Sequence, residues 1–124
     1  MTMQFVLYKK LDVSASASDT AEYMPCFRKA TLKEARLVAD AAVTASGSDY
    51  LTIKLQNGSD DLGSRAFDST DMAAGASEEI ALSGGEALDF DDLDELKITY
   101  DQTGSSGMAF DGGLVLVFEP RRDV

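Results

Sequence analysis

The ten residues from Asp49 to Gly58 alternate polar and apolar side chains and end at an Asn-Gly pair. In an extended chain successive side chains point to opposite faces, so Leu51, Ile53 and Leu55 share one face. The other face then carries Tyr50, Thr52, Lys54 and Gln56. Asn-Gly favours a tight hairpin turn, because both residues tolerate a positive φ. The stretch predicts a half-buried strand of an antiparallel sheet, with one face on a core and one in water.

Past Gly58, glycines separate further short runs that suit strands. These runs are Ser64-Arg65-Ala66-Phe67, Glu79-Ile80-Ala81-Leu82, Leu96-Lys97-Ile98-Thr99-Tyr100 and Leu114-Val115-Leu116-Val117-Phe118. Several short strands between glycine turns predict an all-β protein: a single antiparallel β-sandwich, jelly-roll-like, with about eight strands and little helix. The run 114–118 is apolar at every position, which predicts a strand in the middle of a sheet, covered on both faces.

The N-terminal part of the chain predicts a strand followed by a loop. Residues 4–12 are mostly apolar, and residues 13–19 are small and polar. We therefore expect two parts: an N-terminal strand or arm with a flexible loop at 1–19, and the sandwich domain at 20–124. Pro25 lacks a backbone donor, so the strand candidate at 22–27 is expected at a sheet edge. Cys26 has no basic neighbour in sequence and is expected to be a buried structural thiol.

Residues 30–43 are ambiguous between strand and helix. They are rich in helix formers and long enough for three turns, yet Ala35, Leu37, Ala39, Ala41 and Val43 are apolar at every second position. The alternation favours a strand over a helix at 31–43. Ser46-Gly47-Ser48 then leads into the Tyr50 strand, and we expect the two strands to form a hairpin.

Composition excludes several kinds of chemistry. The chain has no histidine and one cysteine among 124 residues, so a serine–histidine–aspartate triad and the usual zinc sites are excluded. We expect no catalytic residues, no metal and no cofactor. Asp89 and Asp91 match the first two positions of a calcium loop, but Leu93 and Glu95 break the pattern. A looser calcium site at 89–95 stays open as an alternative.

The charge is acidic and unevenly distributed along the chain. Residues 1–58 carry seven basic and six acidic side chains, a net of +1, whereas residues 59–124 carry four and sixteen, a net of −12; the sum is −11. We expect no nucleic-acid partner, because phosphate binding needs a basic surface. The N-terminus has no basic region followed by a long apolar run, so neither a signal peptide nor a membrane span is expected.

The order of strands and turns resembles the small β-sandwich head-decoration, or cement, proteins of tailed bacteriophages. The likeness spans residues 20 to 120 and is carried by Lys29 to Ala39, by the loop at 46–49 with the strand at 50–58, by Leu96 to Tyr100, and by Gly113 to Pro120. It includes no catalytic or binding motif.

The resemblance implies a non-enzymatic virion protein that binds the outside of an expanded head and stabilises it. Its partner would be the major capsid protein, and copies would assemble as homo-oligomers, trimers favoured. It would be made in the bacterial host cytoplasm. Terminal arms often contact the capsid in such proteins, which suits residues 1–19. With the near-neutral N-terminal half turned to an acidic capsid surface, the candidate capsid-binding residues are Phe5, Tyr8, Lys9, Lys10, Arg28 and Lys29.

A carbohydrate-binding β-sandwich module, with or without calcium, is the alternative function. Such modules stack sugar rings on exposed aromatic side chains, and this chain has no tryptophan and four tyrosines. All four tyrosines lie in strand candidates, where packing is the simpler role. Among the tyrosines, we expect the side chain of Tyr50 to be exposed.

Overall fold

Nine strands and one short 3₁₀ helix form the described chain, which in this computed structural model comprises residues 4–25, 29–91 and 94–121. The structure is 59% strand and 4% helix by residue, and its two antiparallel sheets confirm the predicted all-β class and sandwich. The 3₁₀ helix is Gly85–Leu88. The strands are β1 Phe5–Val13, β2 Thr20–Pro25, β3 Ala30–Ala39, β4 Tyr50–Asn57, β5 Asp60–Ala66, β6 Ser77–Ile80, β7 Asp89–Phe90, β8 Glu95–Thr103 and β9 Phe110–Pro120.

The strands form two antiparallel sheets. Sheet I has the order β1-β9-β3-β6, with β7 also paired to β3, and sheet II has the order β2-β8-β4-β5. The apolar inner faces of both sheets bury one hydrophobic core, in which Leu51, Ile53 and Leu55 are fully buried. This confirms the predicted burial of that face of β4. In the described chain there is no helix long and apolar enough to cross a membrane.

The turn after β4 is tight, as predicted. Asn57 pairs with Asp60, so Gly58 and Ser59 are the two turn residues. Gly58 has φ 62°, and no described residue other than glycine has a positive φ. A positive φ at only the first of two turn positions is the pattern of a type II′ turn, which asks for glycine at that position.

Residues 30–39 form strand β3, which confirms strand over helix, but the predicted hairpin is wrong. β3 lies in sheet I and β4 in sheet II. The ten residues between the strands cross from one sheet to the other, and on the way Val43 pairs with Met72 in an isolated bridge. Val43 is buried as the alternation suggested, whereas Ala41 is exposed. Alternating apolar residues place a strand on a core, but the sheet to which it belongs is set by long-range pairing.

The strand β9 lies between β1 and β3, so its predicted central position is confirmed. Its predicted cover on both faces is wrong. Leu114, Leu116 and Phe118 point into the core, but Val115 and Val117 point outward and are only half-buried.

The predicted edge position of the Pro25 strand is confirmed, since β2 is an edge strand of sheet II. Cys26 lies outside the described residues.

The first strand predicted at residues 4–12 is confirmed as β1. It pairs with β9 along all nine of its residues. Leu11 is fully buried, and the ring of Phe5 stacks on Phe118 with centroids 5.4 Å apart. β1 is therefore an edge strand of sheet I that contributes to the core. The division of the chain at residue 19 into an arm and a domain stays a prediction.

Candidate docking face

The outer face of sheet II is polar, as is usual for a sheet with one face in water. Lys54 forms an ion pair with Asp101 at 3.3 Å. The side-chain amide nitrogen of Gln56 donates to Asp61 at 2.7 Å, and the Thr99 hydroxyl donates to the side-chain oxygen of Gln56 at 2.8 Å. Cross-strand polar pairs of this kind satisfy one another beside solvent. The outer face of sheet II is therefore an ordinary solvent-exposed face, with which the outer face of sheet I can be compared.

The outer face of sheet I is instead apolar over part of β1 and β9. Val6 and Tyr8 of β1 are 61% and 60% exposed, and half-buried valines from β9 and β3 continue the surface. The register aligns them in rows: Val6 lies opposite Val117, and Tyr8 opposite Val115. We call this surface the apolar face; its members are Val6, Tyr8, Val38, Val115 and Val117.

The Tyr8 ring lies flat along the sheet because β9 has a glycine next to it. Tyr8 is diagonal to Gly113 across the β1–β9 pair. A Cβ built at Gly113 would collide with the Tyr8 ring, so the ring occupies the space that a side chain would take. Gly113 is consequently buried although it belongs to the outer face. Tyr8 thus covers Gly113 while 60% of its surface stays exposed on the apolar face.

Carboxylates flank the apolar face. On β1, β6, β9 and β3, with Asp40 directly after β3, the register and burial pattern place six acidic side chains on the outer side of sheet I, against three basic ones. We call this set the acidic rim; its acidic members are Asp12, Glu34, Asp40, Glu79, Asp111 and Glu119, and its basic members are Lys10, Lys33 and Arg36.

Most of the basic charge on the rim is already paired within the chain. Lys10 forms ion pairs with Asp111 and, at 3.0 Å, with Asp40. Hydrogen bonds to Asp111 and Asp40 raise the pKa of Lys10 above its usual range. Arg36 forms an ion pair with Glu34 at 3.1 Å. The rim therefore presents a net negative charge to solvent.

A polar cluster links the two sheets at the open edge formed by β1 and β2. Lys9 forms an ion pair with Glu22 at 2.8 Å, and the Tyr100 hydroxyl donates to Glu22 at 2.8 Å. Burial alone would raise the pKa of Glu22, but the bonds from Lys9 and Tyr100 outweigh it and lower that pKa. Burial, and then the Glu22 carboxylate, raise the pKa of Tyr100. The cluster is explained as a cross-link between sheets.

The candidate contact residues chosen from sequence lie in different environments. Tyr8 and Lys10 are on the outer face of sheet I, whereas Phe5 and Lys9 belong to the inner side of β1. Lys29 precedes β3, and its carbonyl accepts a bond from the Arg121 backbone at 3.0 Å. Arg28 lies outside the described residues. Of the five described candidates, Tyr8 thus belongs to the apolar face and Lys10 to the acidic rim.

The expected orientation by charge, with the near-neutral half of the sequence on the capsid, stays a prediction, but the two halves do not form separate sheets. Each sheet combines strands from both halves of the chain: sheet I joins β1 and β3 to β6, β7 and β9, and sheet II joins β2 and β4 to β5 and β8. Strand pairing therefore mixes the two halves throughout the fold.

The carboxylates considered for calcium are bound to protein donors. Thr31 donates to Asp89 at 2.5 Å, and Arg121 donates to Asp91 at 2.6 Å. Among the described residues no group of three or more metal-ligating side chains is found. Asp92 and Leu93, in the middle of this segment, lie outside the described residues. The described part of the acidic segment forms structural contacts.

The outer side of sheet II contains one exposed aromatic ring beside a shallow depression. Tyr23 is 56% exposed, and the depression has a volume of about 340 Å³. Its other lining residues are Asn57, Gly58, Asp94, Glu95 and Lys97. Asn57 uses its amide nitrogen to donate to the carbonyl oxygens of Ala87 and Asp89. Tyr50, the tyrosine expected to be exposed, is half-buried.

The apolar face was missed from the sequence, although a signal for it was present. Phe5-Val6-Leu7-Tyr8 and residues 114–118 are both apolar at consecutive positions. One such strand fits the middle of a sheet that is covered on both sides. Two of them, paired with each other, instead produce a second apolar surface, and the pairing of β1 with β9 is not evident from sequence alone.

No family model matches this chain, and no curated protein matches its sequence. Two solved structures of infectious bursal disease virus contain chains that align with it. The match to the Gx strain has a TM-score of 0.45 and 12% identity, over 98% of this chain and 33% of the viral chain. The match to the Gt strain has a TM-score of 0.36 and 10% identity, over 95% and 29%.

This chain therefore spans about a third of the length of the viral chains with which it aligns. Both neighbours are viral proteins, and neither comes from a tailed phage. Likenesses of this degree carry no inference about what this chain binds. The resemblance to phage head-decoration proteins stays a prediction.

Proposed function

We propose that this protein is a non-enzymatic structural protein of a virion that binds the outer surface of a tailed-phage head through its apolar face and stabilises the shell. The partner is the major capsid protein, and the site of action is the exterior of the virion. The observation that carries the proposal is the apolar face itself. The resemblance of strand order to head-decoration proteins supplies the kind of partner.

The apolar face supports a binding role because the larger apolar patches on the surface of single domains often mark interaction sites. Five apolar side chains meet there, while the outer face of sheet II is polar. Tyr8 has the features of a binding hot spot: a large ring, few rotatable bonds, and a hydroxyl for a directed hydrogen bond. Covering this face would remove its apolar area from water and favour association.

The proposed role demands little of any single copy. Many identical sites on one shell let weak contacts act together, because a clamp that spans two capsid subunits makes the second contact intramolecular. A rigid sandwich can present such contacts without moving parts. A modest apolar face is therefore adequate for the function proposed.

The experiment uses undecorated heads assembled from the major capsid protein that the same genome encodes. We expect the protein to bind to a fixed saturating number of copies per shell and to raise the temperature at which the shell opens. The matched variants are Tyr8→Ser and Tyr23→Ser, which remove rings of similar exposure, 60% and 56%, from opposite faces. Tyr8→Ser should weaken binding about tenfold or more, as loss of a central aromatic anchor does, and Tyr23→Ser should leave it unchanged.

Lack of saturable binding by the wild-type protein would overturn the proposed function. Loss of binding in Tyr23→Ser with full binding in Tyr8→Ser would keep a capsid partner but assign it to sheet II.

A second candidate function, the carbohydrate-binding module, is favoured by Tyr23. An exposed ring beside a depression lined with carboxylate, amine and amide groups provides the stacking surface and the hydrogen-bonding groups that a sugar uses. Binding on a glycan array that is lost in Tyr23→Ala and kept in Tyr8→Ala would support this function. Absence of any bound glycan at millimolar concentration would remove it.

A further inference from the structure

We infer that the surface covering the apolar face is apolar at its centre and carries lysine or arginine side chains around that centre. The inference rests on the proposed function, since it takes the apolar face to be the contact with the capsid. It reverses the expectation that basic residues of this chain meet an acidic capsid surface.

The first support is the balance of charge around the face. The acidic rim has six carboxylates and three basic side chains. Two of the basic side chains, Lys10 and Arg36, are paired with carboxylates of the rim itself. A partner with basic groups at its edge meets this potential favourably, whereas an acidic partner is repelled.

The second support is the arrangement of carboxylates at one end of the face. Asp12 of β1 lies directly opposite Asp111 of β9, both on the outer side. Like charges in directly opposed positions destabilise a sheet. Asp40 also lies within reach of the same lysine as Asp111. Proteins break such local rules mainly at functional sites. A basic group of the partner would be favourable beside Asp12, which faces Asp111 and has no ion pair among those found in the described residues.

The charge also argues against a second copy of this chain as the occupant. Two identical faces related by a two-fold axis would bring the same rim against itself. Six carboxylates against six would meet with only three basic side chains on each side, and juxtaposed like charges cost association energy. A different protein with basic groups is therefore the better fit to this face.

The test compares substitutions that change the charge of the rim with matched ones on the opposite face. Lys10→Gln leaves Asp40 and Asp111 unneutralised, and Asp111→Asn removes one of those carboxylates. The controls are Lys54→Gln and Asp101→Asn, which alter the ion pair on sheet II and change the net charge by the same amounts. All four substituted side chains are exposed or half-exposed, so the variants are expected to fold; thermal melting checks this.

Association with undecorated heads is measured at low salt and again at about 1 M salt, where the screening length is about 3 Å. We expect Lys10→Gln to associate about two- to tenfold faster than wild type and Asp111→Asn to associate slower, because rim charges act mainly on the association rate. The two controls should change the rate much less. High salt should abolish the differences.

The outcomes separate this inference from the proposed function. If wild type binds through Tyr8 but Lys10→Gln slows association and Asp111→Asn speeds it, the partner surface is acidic and the inference is overturned while the function stands. If rim and control variants change the rate equally, net charge alone is responsible, and the inference is also overturned. If wild type does not bind heads, both fail.

Discussion

Gly112 and Gly113 are neighbours in β9, but a side chain at each would meet a different obstacle. At Gly112 an added Cβ would collide with the backbone carbonyl oxygen of Val38 on the adjacent strand. At Gly113 the three atoms nearest to an added Cβ all belong to the side chain of Tyr8, which lies exposed at the sheet edge. Backbone cannot yield without distorting the ladder, whereas an exposed ring can rotate away.

We therefore expect Gly112→Ala to lower the free energy of unfolding by about 1–3 kcal/mol, the usual cost of overpacking. Gly113→Ala should lower it by less than Gly112→Ala does, because the exposed Tyr8 ring can rotate away from the added methyl group. Urea denaturation followed by circular dichroism measures both. Gly113→Ala should also weaken head binding, because it displaces the Tyr8 ring from the apolar face. Equal destabilisation by both variants would contradict this account.

At the scale of elements, the two sheets are joined by side chains as well as by the core. Lys9 from β1, Glu22 from β2 and Tyr100 from β8 connect sheet I to sheet II at the edge where β1 lies over β2. β1 belongs to residues 1–19, for which an N-terminal strand or arm with a flexible loop was expected. The charged link is half-exposed, so its contribution is modest and is best detected through its pH dependence.

The lowered pKa of Glu22 predicts how that contribution changes with pH. The native state binds fewer protons at this site than the unfolded state below the ordinary value of 4.5, so stability falls as pH decreases through that range. Wild type should be more stable than Glu22→Gln at pH 7, and the difference should shrink below about pH 4.5. Urea midpoints between pH 7 and pH 3 measure it. In the Lys9→Met background, the difference in stability between Glu22 and Glu22→Gln should be smaller at neutral pH. A difference in stability that does not change with pH would contradict the prediction.

The elements also show what the sequence could and could not predict. The alternation in β4 was clear, because one residue in two faces the core without interruption. In β3 a bulge between Leu32 and Glu34 shifts the pattern, yet Leu32 and Ala35 both remain buried. The joining of β3 and β4 in one hairpin was a prediction from nearness in sequence, and it failed because pairing partners come from distant segments. The apolar face depended on such pairing and was missed for the same reason.

At the scale of the whole molecule, charge behaves differently from what its position along the chain suggests. The net charge is −11, and the acidic half of the sequence supplies strands to both sheets, so its carboxylates are not confined to one sheet. Spread charge keeps copies apart in solution more effectively than a single acidic patch, because no orientation of two molecules avoids it. Any self-assembly of the free protein must overcome this repulsion.

The trimer that the resemblance to head-decoration proteins implies should therefore depend strongly on salt. At about 0.01 M salt the screening length is about 30 Å, comparable to a small domain, and repulsion should hold the protein as a monomer. At about 1 M salt the charges act over about 3 Å, and a trimer should become populated. Sedimentation velocity at equal protein concentration measures the mass of the particle. Tyr8→Ser is the control, since self-assembly through surfaces other than the apolar face should survive it. A single-chain mass at both salt concentrations would show that copies meet only on the shell, where effective concentration replaces affinity.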